Sequence, residues 1–237
     1  MGEFKQAVIV ITGAAGNLGR AVAQCFAAEG AHLALLDRDG TGIGETISVC
    51  QGQASARAFV TDLIDPGSVE TTMAEVLAAF GKIEVLANIA GGFSMGPLIQ
   101  DTGDEVWDFM MNLNARSVFN TCRCVIPAML HQGGGRIVNV SARAATQGKG
   151  RMGPYCASKA AVLTLTESLA AENRLSGINV NCILPGTIDT PQNRADMPDA
   201  DFNQWVPPAA LADVVKFLAS DAARCVTGAA VPVYGQS

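Results

Sequence analysis

The sequence predicts one α/β domain built on a doubly wound, parallel, seven-stranded sheet with helices on both faces. Short segments of strand length alternate with longer segments of helical periodicity along the chain. The strand segments are apolar on both faces, which is typical of a parallel sheet that helices cover on both sides. No repeat, low-complexity tract or linker interrupts the 237 residues, so we expect a single domain over 1–237.

The elements follow one another in the order that such a sheet requires. The predicted strands cover 7–12, 31–37, 56–62, 83–88, 136–141, 178–184 and 229–233. The predicted helices cover 17–29, 42–51, 66–80, 104–130, 155–175 and 208–219. One long irregular segment, 186–207, is rich in Pro, Asp and Asn and follows directly on a strand end. We expect this segment to be a substrate lid, because long irregular segments in compact domains are either disordered or functional.

Composition and charge exclude several classes of protein. The net charge of −6 argues against nucleic acid or an anionic membrane as the main partner. The N-terminus lacks a basic stretch followed by a long apolar core, and no apolar run reaches the roughly 18 residues of a membrane span. The seven cysteines are scattered and form no CxxC pair. We therefore expect a cytoplasmic protein with reduced cysteines and no metal site.

The segment TGAAGNLG (12–19) joins the first predicted strand to the first predicted helix. Glycines here let the main chain turn tightly and approach a pyrophosphate, while the helix N-terminus supplies N–H donors. A glycine triplet also occurs in strand-to-helix turns that bind nothing, but its position between strand and helix favours a nucleotide. The residues of this turn that we expect to hold the cofactor are Gly13, Gly16, Asn17, Leu18 and Gly19.

A carboxylate ends the second predicted strand. Asp37 lies 18 residues beyond Gly19, close to the spacing expected for a group that accepts hydrogen bonds from the adenine-ribose diol. The alternative is that Asp37 is only a turn residue ahead of Arg38. A carboxylate at this place repels a 2′-phosphate, so the sequence favours NAD(H) over NADP(H). The neighbouring guanidinium of Arg38 could still admit the phosphate.

The segment YCASK (155–159) opens the predicted helix 155–175 and places Tyr155 and Lys159 four residues apart on one helix face. A phenol has an ordinary pKa of about 10 and is a poor base near neutral pH. An ammonium group nearby favours the ionised phenol, which could then exchange a proton with a substrate while hydride moves at the nicotinamide. Taken alone, a Tyr and a Lys four apart are more often a surface pair.

Together these segments resemble the short-chain dehydrogenase/reductase family over nearly the whole chain. YCASK matches its YxxxK motif, NIAG (88–91) is similar to its NNAG segment, and NCILPGTIDT (181–190) to its NxVxPGxxxT stretch. The resemblance implies a Rossmann fold and a nicotinamide cofactor. It adds to the expected cofactor residues Asp62, Leu63, Asn88, Ala90, Gly91, Pro185, Gly186, Ile188 and Thr190, besides Tyr155 and Lys159.

The resemblance also implies that an asparagine lies near the lysine and that the chain forms a homo-oligomer. Asn114 is similar to the asparagine that holds a proton-relay water in the family, with Asn112 as a nearby competitor. Helices 104–130 and 155–175 resemble those through which members form homodimers or homotetramers. Four apolar residues could serve such an interface or the core equally well, namely Met110, Met111, Phe119 and Met129.

The chain departs from the family pattern at a glycine position and at a serine position. The commonest form of the first turn has its second glycine where this chain has Asn17, and we expect Asn17 to tolerate left-handed backbone. Most members have a serine 13 residues before the tyrosine, where this chain has Ala142. Ser141 is a candidate to replace it only if the strand end is irregular, because adjacent strand residues point to opposite faces. An interpretation that is at least as good is that Ser141 is a structural residue behind the sheet.

Within the family, several segments resemble dihydropteridine reductases, which also lack that serine. They are the placement of Gly16, AGGF (90–93), the segment 142–155 and DTPQNRADMPDADFNQW (189–205). Asn114 follows the commoner pattern instead.

The sequence therefore predicts an NAD(H)-dependent enzyme that transfers hydride between nicotinamide C4 and a small substrate, a cyclic carbonyl or alcohol or a pterin-like compound. Tyr155 would be its acid/base group. The alternative is a catalytically silent NAD(H)-binding sensor.

Overall fold

Seven parallel strands form one sheet in the order β3-β2-β1-β4-β5-β6-β7 in the computed structural model, which describes residues 2–50 and 55–236. The strands are β1 Val8–Thr12, β2 His32–Asp37, β3 Ala56–Val60, β4 Val85–Asn88, β5 Gly135–Val140, β6 Ile178–Pro185 and β7 Ala230–Val233. Each neighbouring pair in this order is parallel. The predicted doubly wound sheet is confirmed.

Helices cover both faces of the sheet. They are α1 Asn17–Ala28, α2 Gly40–Val49, α3 Pro66–Phe80, α4 Asp104–Met110, α5 Ser117–Gln132, α6 Gly153–Asn173, α7 Pro191–Asp196 and α8 Pro208–Ala219. Most predicted boundaries agree to within two residues. Position 51, the predicted end of the second helix, lies outside the described residues.

The alternation of side chains along each strand divides the core into two layers. On β1, Ile9 and Ile11 pack into the cluster with α1 and α8, whereas Val10 packs into the cluster with α3, α5 and α6. All three residues are fully buried. Because successive side chains of a strand point to opposite faces, a continuous apolar run serves both layers at once.

The sequence prediction was wrong in two places. The predicted helix 104–130 contains a π-helical turn, Met111–Arg116, between α4 and α5. The segment 186–207 is less irregular than expected, since it contains α7, a 3-10 turn Phe202–Gln204 and a bridge between Ile188 and Val206. Elements this short produce too little periodicity to be read from the sequence.

Candidate functional site

A cleft of about 1090 Å³ lies at the carboxyl ends of the strands. β1 pairs with β2 on one side and with β4 on the other, so the direction of winding reverses at β1. Loops that leave neighbouring strands diverge at such a point and leave a crevice in which open α/β sheets bind their ligands. Residues from the ends of β1, β2, β4, β5 and β6 line the cleft.

The glycine turn forms the wall of one end of the cleft. Gly13 has a left-handed φ of 67°, and a Cβ there would lie 2.8 Å from the main chain of Ala90. A Cβ on Gly19 would lie 2.1 Å from the carbonyl oxygen of Gly13. Only glycine therefore fits these two positions, and bare main chain faces the cleft before α1.

The other residues of the turn line the cleft without special backbone. Gly16 precedes α1 with extended backbone at φ −79°, and Leu18 is buried beneath it. Asn17 is the first residue of α1 and is absent from the residues with positive φ in the described part of the chain. Asn17 therefore fits the turn without left-handed backbone, because the helix begins there and imposes its own φ and ψ.

Asp37 holds the end of β2 against the glycine turn. One oxygen of its carboxylate accepts the main-chain N–H of Ala15 at 3.1 Å, and the other accepts that of Asp39 at 3.1 Å. The carboxylate lines the cleft, as does the exposed side chain of Arg38. Each carboxylate oxygen retains acceptor capacity, since two oxygens offer about four lone-pair sites.

The remaining residues predicted to hold the cofactor divide into two groups. Eight of them line the same cleft, namely Asp62, Leu63, Ala90, Gly91, Pro185, Gly186, Ile188 and Thr190. Asn88 does not line it. Its amide donates to Asn139 at 2.9 Å and accepts from Thr121 at 2.8 Å inside the core. Asn88 thus joins two strands and a helix behind the cleft.

Tyr155 and Lys159 lie together at the other end of the cleft, on the first turns of α6. The Lys159 Nζ donates to the carbonyl oxygen of Val140 at 2.9 Å, which ties the helix to the end of β5. Burial, and to a smaller extent the adjacent Cys156 thiol, raises the pKa of Tyr155 to about 12. Burial lowers the pKa of Lys159 to about 8, because a charged ammonium is poorly solvated there.

Asn114 is fully buried in the π-helical turn and bonds to two segments of the site. Its Oδ1 accepts the Gly92 N–H at 2.9 Å and its Nδ2 donates to the Gly92 carbonyl at 3.1 Å. The same Nδ2 donates to the Ser158 Oγ at 3.0 Å, and Ser158 donates to the Tyr155 carbonyl at 2.8 Å. Asn112, in contrast, accepts from Arg116 along its own helix at 2.8 Å.

Ser141 lines the cleft, but its hydroxyl is bonded to the main chain of α6. It donates to the carbonyl oxygen of Lys159 at 2.7 Å, and the residue is 2% exposed. Ala142, the next residue, packs instead against Tyr155 in a small apolar cluster. The residue at the position of the serine that the resemblance implies therefore belongs to the apolar cluster against which Tyr155 packs.

Several residues at the site were absent from the sequence prediction. Ser158 is buried behind the cleft and follows Tyr155 by three residues, so its place on the same helix face was readable from the spacing. Phe93 and Met152 come from loops, and only the folded chain brings them to Tyr155.

Membrane spans and metal sites are two further features for which the described residues give no candidate. Among those residues, no helix is both long and apolar enough to cross a membrane. No group of three or more His, Cys, Asp or Glu side chains in that part of the chain could hold a metal ion. All seven cysteine thiols are free.

The fold and the cleft define a class of protein, the oxidoreductases with an NAD-binding Rossmann fold. The family profile described as short chain dehydrogenase matches residues 7–201. The chain belongs to the short-chain dehydrogenase/reductase family.

Relatives and solved structures match nearly the whole chain. The chain is 33% identical over 241 residues to the 3-oxoacyl-(acyl-carrier-protein) reductase FabG of Escherichia coli, with 98% of each chain covered. It is 36% identical over 242 residues to the 2-(R)-hydroxypropyl-CoM dehydrogenase of Xanthobacter autotrophicus, covering 96% of this chain and 97% of the relative. The structure of carveol dehydrogenase from Mycobacterium avium in complex with NAD matches with a TM-score of 0.92 and 26% identity, covering 99% and 98% of the two chains.

Proposed function

We propose that this chain is an NAD(H)-dependent dehydrogenase/reductase acting on a small cyclic carbonyl, alcohol or pterin-like compound, with Tyr155 as the acid/base group. One observation carries the proposal. The partly buried Tyr155 and the buried Lys159 lie at one end of a single cleft, and bare glycine main chain with a carboxylate forms the other end. The two ends correspond to the two tasks of such an enzyme, proton exchange and nucleotide binding.

The cleft suits a dinucleotide. The main chain of Gly13 and Gly19 leaves no room for a Cβ, so a pyrophosphate could approach the N–H groups before α1 closely. Asp37 would accept the hydroxyls of the adenine ribose, and Asp62 and Leu63 would border the adenine. Pro185, Gly186, Ile188 and Thr190 would border the nicotinamide, which when bound supplies or accepts the hydride.

Tyr155 begins the reductive reaction as a protonated phenol, because its pKa of about 12 is far above neutral pH. It donates that proton to the oxygen or nitrogen of the substrate as the neighbouring atom is reduced. The Lys159 ammonium, fixed to the Val140 carbonyl, stabilises the negative charge that develops on the phenol oxygen. Asn114 acts as the polar partner of the lysine and holds the water through which the proton is restored.

The preference for NAD(H) over NADP(H) follows from charge at the ribose end. The carboxylate of Asp37 is fixed in place by two main-chain N–H groups, so it cannot turn away from a 2′-phosphate without losing both bonds. Arg38 is exposed at the cleft and would weaken this preference without reversing it.

The substrate end is proposed to lie under the segment 186–207. The helix α7 and Met197 from this segment line the cleft, while Trp205 is buried and fixes the segment to the body of the protein. Dihydropterins belong among the candidate substrates because of the sequence segments that resemble dihydropteridine reductases, above all 189–205.

A homodimer or homotetramer in the cytoplasm completes the proposal. Met110 and Met129 are fully buried in the monomer and so belong to its core. Phe119 is 45% exposed on α5, and Trp107 and Phe109 on α4 are 44% and 50% exposed. These rings are available to a second copy. Light scattering should give a multiple of the monomer mass, and Phe119→Glu should reduce it.

A substrate panel with the wild type and Tyr155→Phe tests the proposal. NADH oxidation is followed with quinonoid dihydropterin, simple quinones and cyclic diketones, alongside NADH binding by fluorescence. We expect turnover of at least one compound, a loss of about 100- to 10,000-fold in kcat in Tyr155→Phe, and unchanged NADH affinity. Binding of NADH without turnover of any compound would favour the sensor, and full activity of Tyr155→Phe would refute the mechanism.

A further inference from the structure

The ring of Phe93 stands against the phenol ring of Tyr155. Their centroids are 5.0 Å apart and their planes are at 88° to each other. Phe93 lines the cleft and is 55% exposed. An aromatic side chain thus touches the proposed acid/base group and still offers about half of its surface to a ligand.

The main chain before Phe93 is held at both of its polar groups. Asn114 accepts the N–H of Gly92 and donates to its carbonyl oxygen. A Cβ on Gly92 would lie 2.6 Å from the Leu113 Cδ2, so the helix approaches this segment closely. The ring of Phe93 therefore projects from a fixed backbone rather than from a mobile loop.

The cluster against which the Tyr155 ring packs offers a substrate no polar side chain. Ala142, Ala144 and Met152 pack with Tyr155, and the hydroxyl of Ser141 is bonded to the main chain of Lys159. Ala142 supplies a methyl group where a serine would supply a hydrogen bond to the reacting atom. Apolar contacts must therefore contribute more to the orientation of a substrate at the phenol than they would in a site with the serine.

We propose that Phe93 determines specificity by packing against a planar, conjugated ring that carries the reducible C=O or C=N group. Aromatic rings at 4.5–7 Å attract one another in offset or edge-to-face arrangements, and an open chain lacks that attraction. Met95 and Met197, 61% and 42% exposed on the cleft, can adapt to the edges of rings of different shape. This inference rests on the proposed function.

The test compares two α-dicarbonyl probes, the planar bicyclic isatin and the open-chain 2,3-hexanedione. NADH oxidation is measured with the full-length wild type, Phe93→Leu and Phe93→Tyr. Phe217→Leu is the matched control, since Phe217 is 49% exposed on α8 and does not line the cleft.

We expect wild type to favour isatin and Phe93→Leu to raise its KM about tenfold, the size of an aromatic contact of roughly 1.5 kcal/mol. The KM for 2,3-hexanedione should change less than about twofold, Phe93→Tyr should restore the wild-type KM for isatin, and Phe217→Leu should alter neither value. NADH affinity should stay unchanged in all variants. Equal effects on both probes, or none on isatin, would overturn the assignment.

Saturation-transfer NMR of isatin with the NAD+ complex, in which isatin cannot be reduced, separates this proposal from the proposed function. If the substrate panel and both probes show no turnover, the catalytic proposal fails, but the transfer to isatin still reports the ring contact. Weaker transfer in Phe93→Leu than in Phe217→Leu supports the subsite, and equal transfer in the two variants refutes it. Circular dichroism spectra verify that each variant is folded.

Discussion

The proposed nucleotide end and the proposed substrate end of the cleft are built by different means. At the proposed nucleotide end, the glycine turn and Asp37 belong to the first β-α-β unit, and the main-chain N–H of Ala15 in the turn donates to the Asp37 carboxylate. At the substrate end, Tyr155, Phe93 and Ala142 come from three separate segments and meet mainly through apolar contacts. The first end presents main chain and charge, whereas the second presents methyl groups, thioethers and rings.

This difference indicates at which end of the cleft the ligand specificity can vary. A turn whose glycines exclude every side chain tolerates almost no substitution, so the proposed nucleotide end can change mainly through side chains outside the turn, such as Asp37 and Arg38. Loop side chains such as Phe93 and Met95 are 55% and 61% exposed and can change without disturbing the core. One end suits a shared cofactor, and the other suits a substrate that differs from one relative to the next.

Breaking the glycine turn should have the largest effect. Gly19→Ala would place a Cβ 2.1 Å from the Gly13 carbonyl oxygen and force the turn apart. We expect NADH affinity to fall about 100-fold or more, a loss of about 3 kcal/mol, measured by fluorescence titration. Gly44→Ala in α2 is the control, because a Cβ there meets nothing within 4 Å. The turn is less constrained than argued if both variants bind NADH equally well.

Removing the Asp37 carboxylate, which we propose binds the adenine ribose, should have the second-largest effect. Asp37→Ala should weaken NADH by about 10- to 100-fold, the range for hydrogen bonds to a charged group, and NADPH much less. Asp39→Ala removes a different carboxylate that caps α2 by accepting from Thr41 and Gly42. Calorimetric titration of both cofactors should show a changed NADH to NADPH ratio for Asp37→Ala alone. An unchanged ratio would contradict the assignment of NAD(H).

The pH profile tests the charge at the substrate end. Burial lowers the pKa of Lys159 to about 8, so the ammonium loses its charge above that pH while Tyr155 stays protonated until about 12. The kcat/KM for reduction should fall about tenfold per pH unit above about pH 8. Lys159→Arg keeps its charge throughout and should lose this fall, whatever its absolute rate. A fall near pH 8 that persists in Lys159→Arg would assign it to another group.

The smallest effect is expected at Ser141. Ser141→Ala removes a hydroxyl whose proton is already donated to the Lys159 carbonyl. Its kcat should stay within about threefold of wild type, and the protein should lose about 1 kcal/mol of stability in urea unfolding. A second variant, Ala142→Ser, adds a hydroxyl at the usual serine position and should improve turnover of open-chain ketones. A loss of 100-fold or more in Ser141→Ala would make Ser141 catalytic.

Local patterns were sufficient to predict the framework. Alternating apolar runs placed all seven strands and most helices, because burial on both faces of a parallel sheet leaves its mark within each strand. The glycine turn and Asp37 were also readable from the sequence, since the groups that pack together there lie within 25 residues along the chain.

Longer-range contacts decided what the sequence alone left open. The sequence favoured Asn114 over Asn112 by its spacing to Phe119, and the structure shows that Asn114 alone bonds to Gly92 and Ser158, which lie 22 and 44 residues away. Nothing local directed the Ser141 hydroxyl to a helix carbonyl 18 residues on, or the Asn88 amide into the core.

By itself, the sequence determined the sheet, the nucleotide turn and the helix face shared by Tyr155 and Lys159, because each depends on spacing within one element or one β-α-β unit. The tertiary structure alone decided that Phe93 meets Tyr155 and that Ala142 belongs to the apolar cluster against which Tyr155 packs. The orientation of a side chain at a loop or strand end depends on its packing partners, and those partners come from distant parts of the chain.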